Sequence, residues 1–280
     1  MFENPPLMVL GERERIDNSF GCKVETFSFE LDILGEPVRF RINVADRHAR
    51  LSDITPLARA LSAKLALAVS DRLRRSGKVV PCCKGCPACC RYLVPLSVPE
   101  VFRLRQEVLA MPAEQGKSVL QSCLETAKKI LNERPEDSEI NELAQTNTQP
   151  QISRLSKWYA GLKLPCPFLS NNLCISYEQR PIACREHMVT GSAILCDTEG
   201  MDEPHIVQIP VSVLECLGEL TAELEQSNIE SVMLPLALPW AQENLERSRR
   251  TWPAVIMVEH FIGILKAAAS KNSAAVTASN

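Results

Sequence analysis

Closely spaced cysteines are the residues of this sequence best suited to chemistry. The chain has 12 cysteines in 280 residues, and around position 86 neighbouring cysteines are repeatedly separated by two other residues. Such gaps let successive thiolates face one metal, while Gly85 and Pro87 bend the backbone between them. Packing gives no reason for this density of thiols, so the spacing predicts a metal site. The cysteines of this first motif are Cys82, Cys83, Cys86, Cys89 and Cys90.

A second group of cysteines, separated from Cys90 by 75 residues, supplies further thiols. Its members are Cys166, Cys174 and Cys184. Turn-forming residues lie among them, since Asn171-Asn172 favours a tight turn and Pro181 another. The gaps between these cysteines match no common zinc-finger pattern, so this second motif predicts a metal site only in combination with the first.

Disulfides are the alternative interpretation of the same cysteines. Adjacent cysteines are hard to bridge to each other, because neighbouring side chains diverge and disulfide geometry is narrow, although each could pair with a distant cysteine. The N-terminal residues have neither the basic region nor the long apolar region of a secretory signal. We therefore expect a cytoplasmic, reducing environment, which favours metal binding over disulfides.

Composition excludes several other classes of partner. The 31 basic and 34 acidic residues leave a net charge of −3, and no basic-aromatic stripe indicates a nucleic-acid surface. The most apolar stretches, 232–241 and 254–269, are interrupted by prolines or charged residues, so we expect no membrane contact. The expected partner is a metal ion or cluster, and a protein partner or substrate stays open.

Apolar periodicity predicts the elements that must position these cysteines. Alternation over 24–33 and 38–44, around turn residues 34–37, indicates a β-hairpin. A helix then follows Ser52-Asp53 and ends at Gly77, and Ser97 and Glu100 form a capping box that begins another. Further elements are helices at about 114–133, 152–162, 211–226, 240–250 and 254–269, and an exposed loop at 134–150.

The predicted fold class is α+β and predominantly α-helical. An N-terminal β-hairpin plus helix is followed by an irregular cysteine-cluster core and then by C-terminal helices. The expected domains are a hairpin-helix unit at 1–80, a cysteine-cluster metal-binding domain with a helical insert at 81–200, C-terminal helices packing on the cluster domain at 201–270, and a disordered tail at 271–280.

The two motifs together resemble the YkgJ-like CxxCxxCC cysteine-cluster family of zinc- or iron-chelating domains. Residues 83–90 match the family's naming pattern in full, and 166–169, 174–175, 177–181 and 184–185 match its second signature, so the resemblance covers about 80–190. It implies seven ligands: Cys83, Cys86, Cys89, Cys90, Cys166, Cys174 and Cys184. Candidates for a further place are Cys82 and Cys196, and also His187, which could equally be a proton carrier or a histidine outside the ligand set.

The number of thiolates bears on the kind of metal centre. Seven or eight exceed the four of one structural zinc and are enough for two zinc ions or for one cubane cluster with spare cysteines. The fourth cysteine of a bacterial ferredoxin run is replaced by Leu93. We expect an iron–sulfur cluster over zinc or iron ions. Arg91, Arg180 and Arg185 flank the motifs and would either neutralise the thiolates or bind an anionic cofactor or substrate.

Three functions stay open on these grounds. The first is metal binding that joins two distant segments. The family resemblance also permits a cluster-dependent S-adenosylmethionine methyltransferase similar to flagellin lysine N-methylase, although the chain lacks the GxGxxG turn of a Rossmann fold. The third function is electron transfer or redox sensing, and whether the chain is an enzyme is left open. The remaining cysteines, Cys22, Cys123 and Cys216, are expected to be buried apolar residues.

Overall fold

The structure is a computed structural model that describes residues 7–11, 23–133, 149–196 and 205–277. Helix accounts for 53% and strand for 18%, which confirms the α+β, predominantly helical class. Cys22 and most of the loop predicted at 134–150 lie outside the described residues. Among the described helices, none combines the length and apolar character needed to cross a membrane.

The N-terminal region is a three-stranded antiparallel sheet. Its strands are β1 (Met8–Leu10), β2 (Val24–Ile33) and β3 (Glu36–Ala45), in the order β1-β3-β2. The connecting turn is only Leu34-Gly35, both at positive φ (57° and 80°), which suits a two-residue hairpin. The predicted four-residue turn is therefore too long. Pro37 belongs to β3, beyond the part of that strand that pairs with β1, so its missing N–H leaves no gap in the sheet.

The longest helix follows this sheet. After β4 (His48–Ala49), α1 spans Leu51–Arg75. It begins slightly before the predicted start, because the Asp53 carboxylate accepts a hydrogen bond from the Arg50 backbone N–H at 2.8 Å. It ends at Arg75, and Gly77, the predicted glycine after the helix end, follows with a positive φ of 77° that favours glycine.

The helices and strands around the cysteines of the second motif are shorter than those before and after them. Before the second motif come β5 (Pro95–Ser97), α2 (Val98–Ala110), α3 (Ala113–Asn132) and α4 (Gln149–Gly161). The second motif and its surroundings hold β6 (Leu169–Ser170), β7 (Leu173–Cys174), α5 (Ile182–Glu186), β8 (Val189–Thr190) and β9 (His205–Ile206). The C-terminal elements are α6 (Val213–Glu225), β10 (Ser231–Met233), α7 (Ala237–Glu243), α8 (Leu245–Ser248), β11 (Trp252–Pro253) and α9 (Ala254–Thr277).

Two C-terminal helices differ from the sequence-based expectation. The helix predicted at 240–250 is divided into α7 and α8 at Asn244. The helix predicted at 254–269 continues to Thr277, within the tail predicted to be disordered at 271–280. Alanine, the residue with the highest helix propensity, is frequent over 267–275, and this composition explains the extension.

Two large hydrophobic cores support the cysteine-bearing segments. The first combines the N-terminal sheet and α1 with α5, α6 and α9. The second combines α2, α3 and α7. Ile182 of the second motif is buried in the first core, and Phe168 of the same motif is buried in the second. The cysteines therefore lie where the two cores meet, and the C-terminal helices share a core with the N-terminal sheet.

Candidate metal centre

One cavity of about 320 Å³ collects the cysteines of both motifs. Side chains of α1, including Ala63, Ala66 and Leu67, form its apolar wall. The thiols that line it come from all seven predicted ligands and from two further cysteines: Cys82, Cys83, Cys86, Cys89, Cys90, Cys166, Cys174, Cys184 and Cys196. His187 lines the same cavity. The fold thus brings together residues that are far apart in the sequence.

Successive tight turns place the thiols of the first motif. The backbone N–H of Cys86 donates to the Cys83 carbonyl at 3.2 Å, and that of Cys90 donates to the Pro87 carbonyl at 2.9 Å. Gly85, inside the first of these turns, has a φ of 93°, in the region that only glycine adopts readily. The first turn spans the CxxC gap from Cys83 to Cys86, and the second turns the chain again from Pro87 to Cys90, so that all four thiols line one cavity.

The second motif is bound directly to the first through the backbone. The Cys166 N–H donates to the Cys90 carbonyl at 2.7 Å. Asn171 and Asn172, at φ 50° and 61°, then form the predicted turn between β6 and β7 and leave Cys174 at the end of β7. The Asn-Asn turn predicted from the sequence is therefore confirmed.

A buried carboxylate holds the short helix α5, which carries Cys184. One oxygen of Glu100 accepts a hydrogen bond from the Ile182 N–H at 2.8 Å. The other accepts from the Ser97 N–H and hydroxyl at 3.2 and 3.0 Å, which confirms the predicted capping box. Glu100 is fully buried, and this burial raises the pKa of its carboxyl. The bond to Ile182 was not predicted, because it joins residues 82 positions apart.

A second carboxylate holds the other end of α5. Glu186 accepts hydrogen bonds from the Val213 N–H at 2.7 Å and from the Ser212 hydroxyl at 2.9 Å, at the start of α6. Burial raises the pKa of Glu186 to about 7. Sequence reasoning missed this residue, since its partners lie beyond the second motif. The helix that carries Cys184 is thereby tied to α2 at one end and to α6 at the other.

Burial keeps the thiols of the second motif protonated in the absence of a cation. It raises the pKa of Cys166 to about 12 and the pKa of Cys184 well above its ordinary value. Neighbouring cysteines raise both further, because a second thiolate nearby repels the first. A divalent cation in the cavity would reverse this balance, since metals bind the deprotonated thiolate.

Two of the three predicted arginines line the cavity. Arg180 lies over the Tyr177 ring at 4.0 Å, and Arg185 donates to the carbonyl oxygens of Arg180, at 3.1 Å, and Glu178. In the described part of the chain, neither guanidinium has a carboxylate within ion-pair distance. Desolvation and the charge of Arg180 lower the pKa of Arg185 to about 10. Arg91 is not among the lining residues, and its role stays a prediction.

The remaining predicted cysteines lie in the hydrophobic cores. Cys123 is buried in the second core and Cys216 in the first, which confirms them as buried apolar residues. All described cysteines are free thiols.

The chemistry of the cavity fits a thiophilic metal. Nine thiols, two guanidiniums and a buried imidazole nitrogen line one space, and among the described residues the guanidiniums have no carboxylate partner and the nitrogen has no hydrogen-bond partner. Within the described residues, no three His, Cys, Asp or Glu side chains are already grouped as a metal site. Binding therefore requires side chains to turn into the cavity, and the short turns around them place the cysteine backbones for this.

Fold and cavity together place a cysteine-rich segment between two hydrophobic cores. Residues 82–206 match the model of the CxxCxxCC family, described as "Putative zinc- or iron-chelating domain". The match confirms the resemblance found from the two motifs and includes every cavity cysteine. No curated protein and no solved structure matches the chain significantly.

Proposed function

We propose that this protein holds a polynuclear metal centre, an iron–sulfur cluster, in the cysteine cavity. The observation that carries the proposal is the convergence of both motifs on one space of about 320 Å³. This volume lies at the lower end of ligand pockets, roughly 300–1,000 Å³, and exceeds what one metal ion needs. The proposed ligands are Cys83, Cys86, Cys89, Cys90, Cys166, Cys174 and Cys184. A single zinc ion would use only four of them.

The proposed role of the arginines is electrostatic. Thiolate ligands bring more negative charge into the cavity than one cluster or two divalent ions remove. Arg180 and Arg185 line this space, and their described hydrogen bonds go to backbone carbonyls, which leaves their positive charge available to the centre. Arg91 would act from outside the cavity wall. A bound iron–sulfur cluster would supply one-electron transfer or Lewis acidity, tuned by these charges.

Anaerobic purification followed by metal, sulfide and absorption analysis tests this proposal. Iron and sulfide in similar amounts, with a broad visible absorption, are the expected result. A colourless protein with bound zinc would show that the centre is zinc and not an iron–sulfur cluster. A protein that takes up neither metal would refute metal binding altogether. Cys166→Ser should reduce the bound metal, whereas Cys123→Ser, which changes a core cysteine outside the cavity, should leave it unchanged.

The arginines and apolar residues that line the same cavity favour a second candidate function. Two guanidiniums and the apolar residues of α1 line the same space, a combination suited to a molecule that carries both a carboxylate and apolar groups. S-adenosylmethionine carries such a carboxylate on its methionine part, although its sulfonium and ammonium groups make it a cation overall. Calorimetric titration of metal-loaded protein with S-adenosylmethionine tests this function. Absence of binding would remove the methyltransferase and leave metal binding in place.

A further inference from the structure

His187 lines the cavity but does not belong to the seven proposed cysteine ligands. Its Nε2 atom is buried and has no hydrogen-bond partner in the described structure, although the residue lines the cysteine cavity. Buried polar atoms without partners are rare in folded proteins and point to an interaction not yet made. A neutral imidazole nitrogen is a common metal ligand in proteins.

Neighbouring side chains fix the orientation of this imidazole. The Tyr92 ring meets the His187 ring edge-on, with 5.6 Å between centroids and an interplanar angle of 88°. Tyr92 is itself anchored, because its hydroxyl donates to the Cys196 carbonyl at 2.7 Å. The imidazole is thus supported at the cavity wall by a ring that is tied to another cysteine of the same wall.

Cys82 is a second cavity residue outside the proposed ligand set, and it lies close to the segment that carries His187. It lines the same cavity as His187 and Val189. Three residues before Cys82, the Val79 carbonyl accepts a hydrogen bond at 3.2 Å from the N–H of Gly191, four residues after His187. The start of the first motif therefore lies beside the segment that carries His187.

We propose that His187 and Cys82 are additional ligands of the metal centre, which then has a mixed thiolate and imidazole donor set. This inference rests on the proposed metal-binding function and deepens it. An imidazole in place of a thiolate removes one negative charge from the ligand set. It therefore favours a higher reduction potential, as histidine ligands do in Rieske centres.

Anaerobic loading of the apoprotein with Co²⁺, followed by pulsed electron paramagnetic resonance, detects a nitrogen ligand directly. We expect nitrogen coupling in the wild type and in His260→Ala, which changes an exposed histidine on α9. His187→Ala should lose the coupling and bind Co²⁺ at least about tenfold more weakly, since even outer-shell changes cost 10–100-fold. His187→Cys should lose the coupling but keep most of the affinity, which separates loss of a ligand from loss of folding.

Cys82 is tested through the sulfur-to-cobalt charge-transfer absorption. Cys82→Ser should weaken this band, whereas Cys123→Ser should leave it unchanged. Nitrogen coupling that is absent from the wild type or persists in His187→Ala would overturn the histidine ligand. An unchanged charge-transfer band in Cys82→Ser would overturn the cysteine. A wild type with a thiolate-only cobalt spectrum contradicts this inference alone, whereas one that binds neither cobalt nor, on anaerobic purification, iron or zinc contradicts the proposed function as well.

Discussion

Replacing Glu100 by alanine should weaken both the fold and the metal site. The carboxylate accepts hydrogen bonds from the backbone N–H groups of Ser97 and Ile182, and both would lose their partner in a fully buried place. A buried donor without an acceptor costs about 1–3 kcal/mol, so two cost roughly 2–6 kcal/mol. Removing a buried carboxylate recovers part of this, because its desolvation is itself unfavourable. The expected net loss in the free energy of unfolding is about 2–4 kcal/mol.

The same change should reach the metal through α5. The Ile182 N–H lies at the start of the helix that carries Cys184, so its release loosens one ligand of the proposed set. Changes in residues that orient ligands typically reduce metal affinity about 10–100-fold, and we expect a loss in this range. Urea denaturation of the apoprotein measures the stability, and competition with a chromophoric chelator measures the affinity.

Asp53→Ala is the matched control for Glu100→Ala. Asp53 likewise accepts a backbone hydrogen bond at a helix start, from Arg50, but it does not line the cavity. Loss of such a cap costs about 0.5–2 kcal/mol. Metal affinity should stay at the wild-type value in this control. The reasoning is refuted if Glu100→Ala binds metal as tightly as Asp53→Ala under conditions in which both variants are folded.

Three further predictions concern the metal and its surroundings. Metal binding should release protons and tighten as pH rises through the neutral range, because burial holds the thiol pKa of Cys166 near 12. Calorimetry in two buffers of different ionisation enthalpy measures the proton release. An affinity that does not change with pH would contradict this prediction. Arg185→Ala should weaken metal binding more than Arg72→Ala, an exposed arginine of α1, and equal affinities in a chelator competition would exclude the electrostatic role. Chelation of the metal should increase hydrogen exchange in 82–92 and 166–190 while α9 stays protected by the first core, and uniform exposure along the chain would show that the metal holds the whole fold.

Local patterns were sufficient to predict much of the fold and to pick out the cysteines that line the cavity. Alternation predicted the hairpin of β2 and β3, and the Ser97-Glu100 pair predicted the start of α2. The CxxCxxCC spacing predicted that the cysteines of the first motif share one site, and a tight turn closes the gap from Cys83 to Cys86. These features depend on residues close in sequence, where a short window contains the whole interaction.

The supports of the site could not be predicted in the same way. In the sequence, Glu100 is recognisable only as the last residue of a capping box. No residue near it in the chain indicates that its second oxygen accepts a hydrogen bond from the Ile182 N–H. Glu186 follows Cys184 with no pattern that connects it to Val213. The missing hydrogen-bond partner of His187 is likewise visible only when the residues around it are known. Each of these facts depends on contacts between segments that are far apart in the chain.

These supports explain how a metal centre here would be coupled to the rest of the protein. Glu100 belongs to α2 of the second core, and it holds Ile182, which is buried in the first. Glu186 then continues the connection from α5 to α6 of the first core. Ligation of Cys184 would therefore fix a short helix that is hydrogen-bonded to elements of both cores. Because this helix has only five residues and little stability of its own, loss of the metal should loosen α5 before it unfolds either core.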